Sequence, residues 1–186
     1  AAPLRRTDCS LISDGAAALV VADEETAERL QRAIAFRARR HVNDVLPLSR
    51  RDPIAFAGAR MAWEKARADS GVTLDDLDLV ETHDCFTVAE LIEYEAMGLA
   101  APGEGYRVVR EGIAEKDGRL PINPSGGLKS KGHPIGATGV SRDVMACLQL
   151  MNEAGDMQIE DAKLAGVFNM GGAAVANYVS ILERRK

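Results

Sequence analysis

Apolar and polar residues follow one another along the 186-residue chain with the periods of strands and helices in turn. The apolar run in SDGAAALVVA, residues 13–22, predicts a short buried strand, and DEETAERLQ, residues 23–31, predicts a helix. In RAIAFRARRHV, residues 32–42, apolar and basic residues alternate around Ile34 and Phe36, which is typical of a strand. This first part of the chain is therefore predicted to contain a strand, a helix and a strand.

Two helices on either side of a strand are predicted next. Residues 53–71 have a proline near their start, Trp63 on an apolar face and Gly71 at their end, a pattern that predicts a helix. LDLVETHD, residues 77–84, predicts a central strand, and FTVAELIEYEAMGL, residues 86–99, predicts the second helix.

The last part of the chain predicts a loop, a helix and two strands. Residues 100–122 are rich in glycine and charge, which indicates a loop, and residues 139–155 show an apolar helical stripe. KLAGVFNMGGAAVANYVSILER, residues 163–184, predicts two strands joined by a tight Met-Gly-Gly turn. From residue 32 onwards the order strand–helix–strand–helix–loop–helix–strand–strand predicts an α/β fold in which helices cover a mixed sheet.

Composition argues against several functional classes. The net charge is −5, from 23 basic and 28 acidic residues, and aromatic residues make up 4% of the chain, so nucleic-acid binding is not expected. No apolar run approaches the roughly eighteen residues of a membrane span, and no signal peptide is recognised. Three cysteines, Cys9, Cys85 and Cys147, have no paired spacing, which favours free thiols in a reducing cytoplasm.

Five glycines, two prolines and one histidine occupy NPSGGLKSKGHPIGATG, residues 123–139. Glycine loses more backbone freedom on folding than any other residue, so this costly run indicates that some other group needs the backbone to come close. His133 precedes a predicted helix, where it could take a proton from a thiol or donate a hydrogen bond to a developing oxyanion. The alternative is a loop histidine that caps the helix.

A second candidate lies at the strand-to-helix junction of HDCF, where His83 and Asp84 precede Cys85. Such a junction lowers the pKa of a thiol, which predicts a proton carrier or a nucleophile. A small buried apolar residue is the alternative for Cys85. A metal site is not predicted, because three consecutive donors on a strand cannot face one ion and no established metal-binding spacing is present.

These motifs resemble those of thiolases. Residues 123–139 resemble their second signature, N-x-x-G-G followed by G-H-P-x-G, and HDCF resembles the variant of sterol-carrier-protein-type thiolases, where ordinary thiolases have N-E-A-F. CSLISDGAAALVV, residues 9–21, resembles the end of the N-terminal thiolase domain, and VFNMGGAAVANYVSIL, residues 167–182, resembles the final strand pair. The resemblance covers essentially the whole chain and implies a thiolase-like fold.

The resemblance also implies roles for individual residues. His133 matches the histidine that activates the nucleophilic cysteine and helps to bind the thioester oxygen, and Cys85 matches the acid/base cysteine. Ordinary thiolases take that cysteine from a C-x-G motif, where this chain has Asn169. His83 takes the place of the asparagine that holds a water of the first oxyanion hole, and the amide of Gly171 would contribute to the second.

Substrate contacts are implied for Ser10, which occupies the position that touches the pantetheine arm of coenzyme A, and for Phe86 of the same HDCF motif. The implied activity is Claisen condensation or thiolytic cleavage of 3-ketoacyl-CoA thioesters in lipid metabolism. The coenzyme A thioester is the substrate, and no permanently bound cofactor or metal is implied. The resemblance further implies a homo-oligomer, a dimer or a tetramer.

Thiolases place their nucleophilic cysteine in an N-terminal half, and no matching segment occurs in this sequence. Residues 1–30 are therefore expected to be a remnant of the N-terminal domain and residues 31–186 to be the C-terminal domain, inactive without the other half in cis or in trans. Two alternatives remain. One is a thiolase-fold retro-aldolase acting on hydroxyacyl-CoA side chains, in which Tyr178 could act as an acid, and the other is a non-catalytic thiolase-like subunit.

Overall fold

One mixed sheet forms the centre of the computed structural model, which describes residues 2–186. Its strands are β1 (Ile34–Asn43), β2 (Leu79–Glu81), β3 (Leu164–Gly171) and β4 (Ala176–Arg184), in the spatial order β1-β4-β3-β2. β4 pairs antiparallel with both β1 and β3, and β2 pairs parallel with β3. The predicted mixed sheet is therefore present.

Within residues 2–186 six α-helices accompany the sheet: α1 (Glu24–Arg29), α2 (Ala57–Ser70), α3 (Thr87–Met97), α4 (Gly105–Arg110), α5 (Gly127–Lys131) and α6 (Thr138–Leu150). α2 shows why its sequence is helical, since Trp63 and Ala66 are buried on one face one turn apart. Gly71 ends α2 at a φ of +67°, a left-handed conformation that favours glycine. Across residues 2–186, none of the helices has the length and apolar character needed to cross a bilayer.

The two faces of the sheet are covered differently. Alternate strand residues such as Phe168 and Ile181 join the larger apolar core, which also contains Trp63 of α2. Residues pointing the other way, such as Val167 and Leu182, join a second core with the buried side of α6. The part of this second face that lies on β1 and β4 is open, and Phe36 and Tyr178 are exposed there.

Two expectations about local structure are wrong. Residues 13–22 do not form a buried strand: Ala16–Ala22 contain no regular structure, and Val20 is 98% exposed, because no strand within residues 2–186 pairs with this stretch. The predicted loop 100–122 contains the helix α4. α4 packs closely against α3 at Gly105, where a Cβ would lie 2.1 Å from the carbonyl oxygen of Leu91.

Strands β3 and β4 are confirmed, but their connection differs from the expected Met-Gly-Gly turn. Pairing continues to Gly171, and the turn comes after it, with positive φ angles at Gly172, Ala173 and Ala174. The Asn177 side chain stabilises this turn by donating to the carbonyl oxygens of Ala174 and Val175. Hydrogen bonds from the Asn177 side chain therefore help to fix the conformation of this turn.

Candidate active site

His83 and His133 come together although fifty residues separate them in the chain. Their ring centroids lie 5.2 Å apart, with an angle of 83° between the ring planes. His83 follows the end of β2, which is shorter than predicted, and His133 lies in the loop before α6. The edge-to-face contact shows that the fold brings the two motifs together.

An extended segment near the start of the chain links the two motifs through backbone hydrogen bonds. The amide of Ser10 donates to the carbonyl oxygen of Cys85 at 2.9 Å, and the amide of His133 donates to that of Leu11 at 3.2 Å. The amide of Ser13 donates in turn to the carbonyl oxygen of His133 at 3.3 Å. Residues 10–13 therefore lie between the HDCF motif and the glycine-rich loop and are hydrogen-bonded to both.

The proton on His133 can be assigned from its partners. Nδ1 lies 2.7 Å from Oγ1 of Thr138, whose hydroxyl donates to the carbonyl oxygen of Pro134 at 3.0 Å. Because the single hydroxyl hydrogen is used there, the hydroxyl oxygen accepts from Nδ1–H, and Nε2 keeps its lone pair. Burial, and then the charge of Arg142, lower the pKa of His133. At neutral pH His133 is therefore uncharged, and the lone pair of Nε2 is free to accept a proton.

His83 is buried and neutral. Burial lowers the pKa of His83 to about 3, with a further contribution from the positive charge of Arg142. Its Nδ1 lies 2.8 Å from Oδ1 of Asn169 on β3. The resemblance places Asn169 at the position of the C-x-G cysteine and His83 at the position of the N-E-A-F asparagine. These two residues are thus in direct contact.

The expectation of a lowered pKa for Cys85 is wrong. Burial raises the pKa of Cys85 to about 12, and the negative charge of the buried Glu93 raises it further. The backbone amide of Phe86 acts in the opposite direction but does not overcome burial. The helix start was expected to dominate, but the thiol packs against the larger apolar core. At neutral pH Cys85 is therefore a thiol that can donate a proton.

Asp84 explains the Gly-Gly pair of the loop. Its buried carboxylate accepts from the amides of Leu128 and Lys129 at 2.8 and 3.1 Å, and from Nη2 of Arg142 at 3.1 Å. A Cβ on Gly127 would lie 2.3 Å from the same carboxylate. The group that the glycine backbone approaches closely is thus the Asp84 side chain of the protein itself.

A second carboxylate fixes the same loop. Glu81 is fully buried at the end of β2 and accepts from the hydroxyl of Ser125 at 2.7 Å and from its amide at 3.2 Å. Nζ of Lys131 lies 3.0 Å from the Ser125 hydroxyl. Sequence reasoning missed the contacts of Glu81, Asp84, Thr138 and Arg142. The one available signal was Glu81, an acidic residue at the end of the otherwise apolar strand β2.

The remaining predicted residues surround this centre. Ser10 is half-buried. Phe86 is 48% exposed and forms an isolated β-bridge with Cys9, the residue before Ser10. Gly171 ends β3 two residues after Asn169 and so lies on the same sheet face. Within residues 2–186 no cluster of three or more His, Cys, Asp and Glu could hold a metal ion.

Two open grooves border the site. One, of about 480 Å³, runs between residues 13–17 and the loop residues from Pro134 to Ala137. The other, of about 630 Å³, lies on the open part of the sheet and is lined by residues that include Asn169 and Tyr178. Their linings include direct neighbours of the two histidines, Pro134 in the first groove and Asn169 in the second.

The sequence was compared with known families and proteins. Residues 41–184 match the family described as Thiolase C-terminal domain-like. The chain belongs to this family. The resemblance drawn from the motifs is confirmed, and the thiolase C-terminal domain accounts for the mixed sheet and its covering helices.

Individual relatives agree with this assignment. The chain is 38% identical over 184 residues to an acetyl-CoA acetyltransferase of Methanothermobacter thermautotrophicus, covering 98% of this chain and 48% of the relative. It is 42% identical over 176 residues to sterol carrier protein 2 of Homo sapiens, covering 90% and 32%. The chain thus spans about half the length, or less, of these two relatives.

A solved structure shows the same fold. The structure titled Ltp2-ChsH2(DUF35) aldolase superposes with a TM-score of 0.84 at 22% sequence identity, over all of this chain and 49% of that one. At this identity the likeness shows the fold alone.

Proposed function

We propose that this chain is the acid/base and oxyanion-stabilising part of a thiolase-type acyltransferase that acts on 3-ketoacyl-CoA thioesters. Residues 1–30 would belong to the N-terminal domain and residues 31–186 to the C-terminal domain, with the nucleophilic cysteine supplied by the other half. The observation that supports this most strongly is the pair His83 and His133, each with Nδ1 engaged by the protein and Nε2 left for a ligand.

In the cleavage direction, Nε2 of His133 takes the proton of the nucleophilic cysteine, whose thiolate attacks the 3-keto carbon. The amide of Gly171 stabilises the oxyanion that forms on the ketone oxygen. Collapse of this oxyanion breaks the carbon–carbon bond, and the electron pair becomes the enolate of the departing thioester. His133, now protonated at Nε2, and a water held by His83 stabilise the enolate oxygen.

Cys85 then donates its proton to the enolate carbon and becomes a thiolate. Coenzyme A gives its thiol proton to Cys85 and attacks the acyl-enzyme, and the nucleophilic cysteine leaves as a thiolate that regains its proton from His133. Condensation is the same sequence reversed. The protonated state of Cys85 supports the donor role, which cleavage requires first.

The test is a thioester cleavage assay on the full-length protein with His133→Ala and Cys85→Ala. Each variant is expected to lose at least about 100-fold in kcat/KM, the usual effect of removing a general acid or base. Cys147→Ala, in α6 and outside the site, is the control and should keep activity. Turnover by residues 1–186 alone, abolished by His133→Ala, would show that the other half is not needed.

One observation favours a second candidate, the retro-aldolase. Tyr178 lies directly across from Asn169 in the β3–β4 register and is 45% exposed in the groove beside the site. Full-length Cys85→Ala separates the two reactions, because retro-aldol cleavage of a hydroxyacyl-CoA does not need this thiol. Calorimetry with acetyl-CoA identifies the third possibility, since a non-catalytic subunit should bind none.

A further inference from the structure

The hydrogen bond between His83 and Asn169 has a chemical direction. Oδ1 of Asn169 lies 2.8 Å from Nδ1 of His83, and an amide oxygen can only accept. In this orientation of the Asn169 amide, Nδ1 of His83 bears the hydrogen. A neutral imidazole has one N–H, so Nε2 is left with a lone pair.

We propose that Asn169 is a positioning residue that holds His83 in the Nδ1–H tautomer, so that Nε2 meets the substrate as a hydrogen-bond acceptor. The proposal deepens the function given above and rests on it for the identity of the substrate, a coenzyme A thioester. The tautomer itself follows from the contact with Asn169 alone.

The tautomer decides what His83 can recognise. An Nε2 lone pair cannot donate to the oxygen of a thioester or an enolate, but it can orient a hydrogen donor such as water. The second hydrogen of that water can then point at the substrate oxygen. His83 would act through this water, whereas His133 donates directly once it has taken a proton.

The surroundings of Asn169 favour its place beside His83. Asn169 is on β3 next to the start of α6, where a Cβ on Gly139 would lie 3.3 Å from its Nδ2. This is tighter than an ordinary contact, so the missing side chain at Gly139 leaves room for the amide. Nε2 of His83 has no hydrogen-bond partner within residues 2–186, which leaves it available to a ligand.

The tautomer can be measured without any turnover. 15N-histidine labelling of the full-length protein, with His41, His83 and His133 assigned by single substitutions, resolves the ring nitrogens of these three residues by NMR. We expect His83 and His133 to show a protonated Nδ1 at pH 7. An Nε2–H form of His83 in the unsubstituted protein would mean that Asn169 presents its NH₂ group, and would overturn the proposal.

Two substitutions test whether Asn169 sets this state. Asn169→Ala removes the acceptor and should shift His83 towards Nε2–H, while His133 keeps its Nδ1–H signal as the internal control. Asn169→Asp keeps an acceptor and should retain the Nδ1–H form. The new negative charge should also raise the pKa of His83 by about one to three. It adds to the effect of Asp84 and opposes those of Arg142 and His133.

An unchanged His83 spectrum in Asn169→Ala contradicts the proposal, because another group must then hold the tautomer. A general disturbance of the fold would move the His133 signals as well, and Gly139→Ala then provides the second measurement. That variant keeps the amide but crowds it, and should weaken the Nδ1–H signal of His83. If the unsubstituted full-length protein also shows no thioester cleavage, the proposed function is refuted, but the tautomer result is unaffected.

Discussion

Burial acts in opposite directions on two titratable side chains that follow β2. It lowers the pKa of His83 to about 3 and raises that of Cys85 to about 12, because in each case the charged form is the one that loses solvation. Both groups are consequently neutral at pH 7. At pH 7 the candidate site therefore contains an imidazole with a free lone pair at His83 and a protonated thiol at Cys85.

The neutral Cys85 should react slowly with alkylating agents, since the thiolate is the reactive form. With iodoacetamide at pH 7, mass spectrometry of this chain should show modification of the exposed Cys9 well before that of Cys85. The Cys85 rate should rise about tenfold per pH unit on the alkaline side. Equal rates at the two cysteines at pH 7 would contradict the raised pKa.

The lowered pKa of His83 makes stability depend on pH. Below about pH 6.5 the unfolded chain binds a proton at His83, whereas the folded chain does not bind it until about pH 3. The free energy of unfolding therefore decreases as the pH is lowered through this range. The His83 contribution is about 1.4 kcal/mol per pH unit. Urea unfolding between pH 7 and pH 5 should show a smaller slope in His83→Gln than in the unsubstituted chain.

Asp143 opposes this effect, because burial raises its pKa to about 6 and its folded form gains a proton as the pH falls. Both proteins contain Asp143, so the difference between their slopes isolates His83. Identical slopes would mean that His83 is protonated in the folded chain near neutral pH.

Gly127 and Gly136 lie in the same loop but differ in their surroundings. A Cβ at Gly127 would meet the Asp84 carboxylate at 2.3 Å, and its φ is +61°, whereas a Cβ at Gly136 would meet nothing within 4 Å. Gly127→Ala should lower the free energy of unfolding by roughly 2 kcal/mol or more, from strain and a displaced carboxylate. Gly136→Ala, the matched control, should change it by less than about 0.5 kcal/mol in denaturant unfolding.

Among the elements, the loop after β2 connects α5 and α6 through one carboxylate. Asp84 accepts from the first amides of α5 and pairs with Arg142 of α6, whose side chain is fully buried. Such a pair contributes mainly by avoiding an unpaired buried charge. The relative positions of the HDCF motif and the glycine-rich loop therefore depend on it.

Removing one partner of this pair should be costly. Asp84→Ala leaves Arg142 buried without its counter-charge and is expected to lower the free energy of unfolding by about 3–5 kcal/mol. Asp84→Ala combined with Arg142→Met should lose less than the two single changes added together. Denaturant unfolding of the four proteins measures this coupling, and strict additivity would show that the pair does not interact.

Most elements could be predicted from local pattern, and the exceptions share a reason. α2, α3 and α6 follow from helical periodicity, and β3 and β4 from apolar runs. α4 was missed because its packing depends on one glycine meeting α3 across the fold. Residues 13–22 have the composition of a strand, but a strand also needs a partner, and composition contains no information about one.

For the whole molecule, the open part of the sheet and residues 13–22 are the surfaces that the proposed second half would cover. Apolar side chains are exposed in this stretch, among them Val20 and Val21. Elastase cleaves after small apolar residues, so limited proteolysis of this chain should cut first within residues 16–22. α2 also contains alanines, but it is helical and has one face buried, so it should resist. First cleavage within α2 would contradict the described packing.

The sequence by itself determined the family and the order of most elements, and it singled out His83, Cys85 and His133 as candidate site residues, because these depend on residue type, spacing and local periodicity. The tertiary structure decided their chemical states. Which histidine nitrogen bears the hydrogen and whether the thiol is charged depend on burial and on partners that the fold brings close, such as Asn169, which lies 86 residues after His83. Local pattern cannot report such contacts, since only folding brings these groups together.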